Sequence, residues 1–258
     1  MEPISVIVGL IIVSLLIPSA PKAPTPVTEN PASKVEKVAF SQENITPATQ
    51  LLRSLPEPKE KIPVAVYSIE DKTGKFMENT HVSSSRVVTQ GATEMLITAL
   101  MRSRQFIVLD RVQFQRVLNE QNLRIQKRLA KGEGPGIGAL TGAKYIIQGA
   151  ITEYDVDMRT GGIGLKIAGK GGSTQYAKAS CAIDLRVTGT TTGEVIWAES
   201  LKKEILGKKV GINIFSFMGK NIVEFETGRG MQQAINLVVR TLLEETVYKL
   251  CKSDVLVH

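Results

Sequence analysis

The chain has 258 residues, 43% hydrophobic and 22% charged, with a formal net charge of +7. That excludes global disorder and leaves room for one large domain or two small ones. The positive balance suits anionic partners, but with only 5% aromatic residues there are few platforms for stacking bases, so nucleic acid is not an expected partner.

The basic runs Arg124 to Lys131 and Lys202 to Lys209 read as solvated faces. Cys181 and Cys251 read as small core hydrophobes; they imply no disulfide framework, though a single bridge between them stays open. His81 and His258 are too few for a histidine metal site, and no cofactor is expected.

Ile4 to Ile17 is an almost unbroken apolar run followed by Pro18-Ser19-Ala20. Its length fits a signal-peptide core and is short for a spanning helix, although Met1-Glu2-Pro3 supplies no positive charge. Residues 1–20 are therefore expected to be a signal peptide. Ten of the eleven prolines lie at or before Pro63, so residues 21–61 are expected to form an extended arm without a core of its own.

The folded body is expected over 62–258. Val64, Val66 and Ile69 suit a strand closed by Asp71-Lys72-Thr73-Gly74. Val88, Ala92, Met95, Leu96, Ala99 and Leu100 recur at helical spacing. Phe106 to Leu109 suits a short strand. Asp110 and Gln113 suit a capping box for a helix that buries Phe114, Val117 and Leu118. A Gly-Pro loop at Gly134 to Gly138 precedes a strand at Tyr145 to Ile151. From Gly230 onward, Met231, Ile235, Val238, Val239, Leu242 and Leu250 mark one face of a long helix. The fold class is α+β, with helices packed on one sheet.

Two segments do not suit a soluble core. At about 156–180, Ile163, Leu165 and Ile167 alternate with Gly164, Lys166 and Ala168 amid glycines that would weaken an ordinary strand. At about 208–228, Ile212 and Ile214 alternate with Gly211 and Asn213, and Val223 and Phe225 alternate with Glu224 and Glu226. Each segment reads as an amphipathic hairpin. Alternation of this kind marks a transmembrane β-barrel, with Ile163, Leu165, Ile167, Ile212, Ile214, Val223 and Phe225 toward lipid and Lys166, Asn213, Glu224 and Glu226 toward the lumen. The same alternation also suits hairpins that pack against a partner. Open sheet edges cannot rest in lipid, so a barrel reading requires several chains to share one barrel.

An ordered set of segments resembles the curli production assembly/transport family, CsgG. These are Val66-Tyr67-Ser68-Ile69-Glu70-Asp71-Lys72-Thr73-Gly74-Lys75-Phe76, Gln90-Gly91-Ala92-Thr93 with Leu96-Ile97-Thr98-Ala99-Leu100, Gly161-Gly162-Ile163-Gly164, Thr174-Gln175-Tyr176, Leu185-Arg186-Val187 with Thr192-Gly193-Glu194, and Ile214-Phe215-Ser216-Phe217. The set covers roughly residues 62 to 250.

The resemblance implies a homo-oligomeric ring, a nonamer in the family, whose subunits each lend two hairpins to one outer-membrane barrel above a periplasmic vestibule. It implies export of unfolded amyloid subunits without nucleotide hydrolysis, together with periplasmic and extracellular accessory proteins. The sequence departs from the family twice. Family members carry a lipobox cysteine, and here no cysteine precedes Cys181. The family also narrows its pore with a ring of Tyr, Asn and Phe; aligned without a gap from Phe76 to Gln90, those positions fall on Asn79, Ser83 and Ser84.

The glycines from Gly161 to Gly172 lack the Gly-Lys-Ser/Thr ending and the βαβ setting of a phosphate loop. His81 beside Ser83 to Ser85 lacks a nucleophile elbow. An enzyme is therefore not expected. The alternative is a periplasmic binding or regulatory module of the same soluble fold acting in envelope assembly, which would lack barrel hairpins.

Overall fold

The computed structural model describes residues 45–74, 91–160, 175–219, 221–224 and 229–256. The elements in chain order are α1 (Pro47–Arg53), β1 (Ile62–Asp71), α2 (Ala92–Ser103), β2 (Phe106–Asp110), α3 (Phe114–Ile125), β3 (Tyr145–Thr160), β4 (Gln175–Gly189), β5 (Val195–Gly211), β6 (Ile214–Phe217), β7 (Asn221–Glu224) and α4 (Arg229–Lys252). The strands form one sheet in the order β2-β1-β3-β4-β5-β6-β7. β1 runs parallel to β2 and β3, and every pairing from β3 onward is antiparallel.

Periodicity explains the layers. On α4, Ile235, Val238, Val239, Leu242 and Leu250 recur at three- and four-residue steps, and all are buried. They share one core with Leu96 and Leu100 of α2 and with Ile183, Leu185 and Val187 of β4. The buried threonines of α4 are satisfied within the helix: the Thr241 and Thr246 hydroxyls each donate to a carbonyl four residues back, at 2.7 Å. Asp71 closes β1 as its turn chemistry predicts, its Oδ1 accepting from the Thr73 amide at 3.0 Å and the Thr73 hydroxyl at 2.7 Å, and Gly74 takes a left-handed φ of 68°.

Three expectations need correction. The arm was expected to be extended through residue 61, but residues 47–53 form α1. Proline is tolerated in the first turn of a helix, where its missing N–H has no partner to lose, and Pro47 sits there behind the cap Thr46. Ala48, Leu52 and Leu55 are buried, so the body begins before β1.

The second correction concerns the start of α3. Asp110 Oδ1 accepts from the amides of Val112 and Gln113 at 2.9 and 3.1 Å, forming a local turn. Gln113 itself is the N-cap and has no side-chain cap bond, so no capping box forms. The third concerns what α3 covers. None of its side chains is buried, and Val117 is exposed, whereas core burial of Phe114, Val117 and Leu118 was expected. The core is formed instead by α1, α2 and α4 with the sheet, and α3 leaves from the edge strand β2.

Gly149 sits where β1, β3 and β4 meet, and a Cβ there would lie 2.3 Å from the Asp184 carbonyl oxygen. Backbone cannot step aside as a flexible side chain can. Gly149→Ala should lower the unfolding free energy by about 1–3 kcal/mol in denaturant titration. Gly142, with nothing within 4 Å of its added Cβ, should tolerate alanine as a control.

Candidate functional site

β3, β4 and β5 run 16, 15 and 17 residues, about three times the usual strand length. At about 3.4 Å per residue such strands reach roughly 50 Å. β1 accompanies β3 only as far as Ile151, so residues 152–160 continue beyond the part of the sheet that β1 joins. A barrel strand crosses a bilayer in about 9–11 residues. The ladder exceeds that length.

Its two faces differ in kind. On one face β4 presents Ala177, Ala179, Cys181, Ile183, Leu185 and Val187, all buried. Across from them stand Tyr154 and Val156 of β3 and Ile205 and Gly207 of β5. The opposite face pairs Asp157 with Lys178, Asp155 with Ser180, and Glu153 with Ala182. It continues onto β5, where Glu204 lies beside Ser180 and Lys202 beside Ala182. Lys178 meets Glu204 at 2.6 Å, and Lys202 bonds Glu153. The hydrogen bond that Lys202 donates to Glu153 raises the Lys202 pKa, although at this exposed position solvent screens the pair.

A bulge sets these faces. Ile151 pairs with Ile183, but Glu153 pairs with Ala182, leaving Thr152 as an extra residue in β3. Before it, Ile147 and Ile151 point into the core; after it, Tyr154 and Val156 take that side. The bulge exchanges odd for even and turns Asp155 and Asp157 outward. Thr152 is fixed by its hydroxyl, which donates to Asp184 Oδ2 at 2.7 Å.

On the polar face an open basin of about 560 Å³ is lined by Ser68, Glu70, Gln148, Asp184, Arg186 and Ser200, among others. With the Gln148 amide oxygen turned to Arg186, it accepts from Nε and Nη2 at 2.8 and 2.9 Å. Asp184 is engaged by Thr152 and Arg186 by Gln148, and these residues form no nucleophile–base pair of the kind acyl or phosphoryl transfer requires. Among the described residues, no group of three or more His, Cys, Asp or Glu side chains could hold a metal ion.

The second amphipathic stretch differs from its expected form. Alternation was expected to run through Ile212 and Ile214. Instead Ile212 and Asn213 form the two-residue turn between β5 and β6, with Gly211 paired to Ile214. Asn213 has φ 55°, the left-handed geometry that such turns favour and asparagine tolerates. A second turn carries Met218 and Gly219, both at positive φ, and the stretch becomes a short meander. Ile212 is 83% exposed at the turn, while Phe215 and Phe217 are buried. The Phe217 ring covers Gly207, whose added Cβ would lie 2.5 Å away.

The remaining predicted positions divide as follows. Ile214 is half-buried on β6, and Val223 and Glu224 pair on β7 with Phe215 and Ile214. Asn79, Ser83, Ser84, Ile163, Leu165, Lys166, Ile167, Phe225 and Glu226 lie outside the described residues. The charged face at Glu153, Asp155, Asp157, Lys178, Lys202 and Glu204 went unread in the sequence. The alternation Glu153-Tyr154-Asp155-Val156-Asp157-Met158 was a usable signal for it. Among the described residues no helix is long and apolar enough to cross a membrane, which leaves crossing by strands open.

Comparison with known proteins bears on residues 48–256. The family model for the curli production assembly/transport component CsgG matches residues 48–256. The curli production assembly/transport component CsgG of Salmonella typhimurium is 34% identical over 201 residues, covering 76% of this chain and 73% of the relative. The protein of the same name from Escherichia coli K12 is 34% identical over 204 residues, with the same coverage. The C-terminal domain of LpoB from Escherichia coli aligns at a TM-score of 0.30 and 14% identity, over 61% of this chain and 93% of that domain, too distant to carry an argument. The match starts inside α1 and runs through α4, taking in the whole two-faced ladder, and the chain belongs to the curli production assembly/transport family CsgG.

Proposed function

We propose that this chain is one subunit of an outer-membrane secretion channel, a homo-oligomeric ring through which unfolded amyloid subunits of the curli type diffuse. The supporting observation is the long ladder of β3, β4 and β5, which runs past the end of β1 and leads into the Gly-rich segment 161–172. A barrel wall that continues a helix-covered body needs strands of that length. The sheet ends on β7, and β1 leaves β3 at Ile151. An edge of this kind in lipid is satisfied only by another chain, so β7 of one subunit pairs with β3 of the next around a ring. The relatives' role in curli assembly and transport fits such a pore. The ring is a nonamer by family resemblance, with accessory proteins at its periplasmic and extracellular mouths.

In this reading Lys166 faces the lumen and Ile163, Leu165 and Ile167 face lipid. The parity set at Thr152 places Asp155 and Asp157 on the charged face, and odd-numbered residues would stay on that face if alternation simply continued. A second reset is therefore needed before Ile163, and Gly161-Gly162 is where the chain can make it. Asn79, Ser83 and Ser84 line the narrowest point, where small polar side chains leave a wide, wet opening.

Electron microscopy of the detergent-extracted chain should show rings with a central pore; isolated monomers would instead favour the periplasmic regulatory module. Cysteine scanning tests the wall. A water-soluble maleimide should label Lys166→Cys and spare Leu165→Cys. The native thiols give little background, since Cys181 is buried and burial pushes the Cys251 thiol up to about 12. Equal labelling of both sites would remove the hairpin from the barrel wall, and reversed labelling would overturn the reset. Leu165→Arg should cost about 2–4 kcal/mol in membrane-folded stability if it lies near the midplane.

Single-channel conductance tests the constriction. Ser84→Phe should lower it markedly, and unchanged conductance would take this loop out of the pore.

A further inference from the structure

α1 is attached to the body by an unusual set of contacts. At its start, the Thr46 and Thr49 hydroxyls form a reciprocal capping box, each accepting from the other's backbone amide, at 3.0 and 3.2 Å. Each hydroxyl spends its single proton on one acceptor, the carboxylate of Glu244 on α4. Thr49 donates to it at 2.8 and 2.9 Å, and Thr46 donates to Oε2. Glu244 is 1% exposed, and Arg102 of α2 donates to the same carboxylate at 2.6 Å. One buried acid thus joins three helices and leaves neither hydroxyl unsatisfied.

The far end is held by a cation. Arg104 Nη2 donates to the carbonyls of Arg53 and Leu55 at 3.1 and 2.8 Å, and Nη1 meets Glu57 at 3.1 Å. Gln105 adds a bond to the Pro56 carbonyl at 2.7 Å. Arg104 ends α2 at φ 63°, a conformation glycine would adopt without strain. Its side-chain contacts explain why an arginine stands there. Its Nε is buried with no acceptor among the described residues, so this end is held less completely than the other.

The apolar side chains α1 buries are Ala48 and Leu52, with Leu55 just beyond. That is too little apolar surface to offset the ordering of segment 46–57, so the polar contacts decide whether the segment stays down.

We propose that the groove between α2 and α4 is a docking site for the chain's own segment 46–57, clamped by Glu244 at one end and Arg104 at the other. The segment opens as a unit while the sheet, α2 and α4 stay folded. The segment is then a releasable latch, whose apolar share in the core is limited to Ala48, Leu52 and Leu55.

Hydrogen exchange on the full-length chain, read by mass spectrometry, tests this. In the native protein, amides of residues 49–55 should exchange at least tenfold faster than those of α2 and α4, through an opening confined to the segment. Exchange of α1 only at the global unfolding rate would overturn the proposal. The pair Thr46→Ala and Thr49→Val changes only the latch side and leaves the Arg102–Glu244 ion pair intact. It should speed α1 exchange by a further tenfold or more with α2 and α4 unchanged. Glu244→Gln, which leaves a buried cation with a weaker partner, should do so by about a hundredfold. If the loss of protection in the threonine variant spreads to α2 and α4, or α1 keeps its native rate, the segment belongs to the core and the latch is wrong.

Discussion

The register between β3 and β4 is the constraint on which the rest of the molecule depends. It runs from Tyr145 opposite Gly189 to Thr160 opposite Gln175, with a single irregularity at Thr152. Strand side chains alternate with a period of two, so a slip of one residue would turn every apolar position outward. The buried odd positions of β4 hold that register on one side, and the close approach of Gly149 to the Asp184 carbonyl holds it at the centre. The single bulge then lets β3 supply Ile147 and Ile151 to the core and Asp155 and Asp157 to the outer face.

Helix packing follows from the same asymmetry. An apolar face on β4 needs cover, and α4 supplies it with a stripe of Ile, Val and Leu, while α2 covers β1. The ion-paired face needs none, because Lys178, Glu204, Lys202 and Glu153 satisfy one another in solvent. Such exposed pairs add little stability, since solvent screens them. Their structural effect is to keep that face wet.

The elements stand at different distances from the core. α4 is buried along a whole face, α1 is held largely by two polar grips, and none of the side chains of α3 is buried. Free energies of local opening should follow that order, with core elements opening last.

The sequence by itself determined the elements whose periodicity is decided locally: α2, α4, β1, β2 and the turn at Asp71 to Gly74. Its ordered motifs also carried the family. Only the tertiary structure decided how far β3 runs and where it bulges, since pairing with β4 stabilises residues whose own composition, Glu-Tyr-Asp-Val-Asp, is not strongly strand-forming. It also decided that Ile212 and Asn213 turn instead of continuing a strand, because Phe215 and Phe217 gain burial once the chain folds back onto β5. The helix at Pro47 was hidden for a similar reason. Seven residues are too few to be helical alone, and α1 exists because Glu244, nearly two hundred residues away in the chain, is positioned to receive its cap.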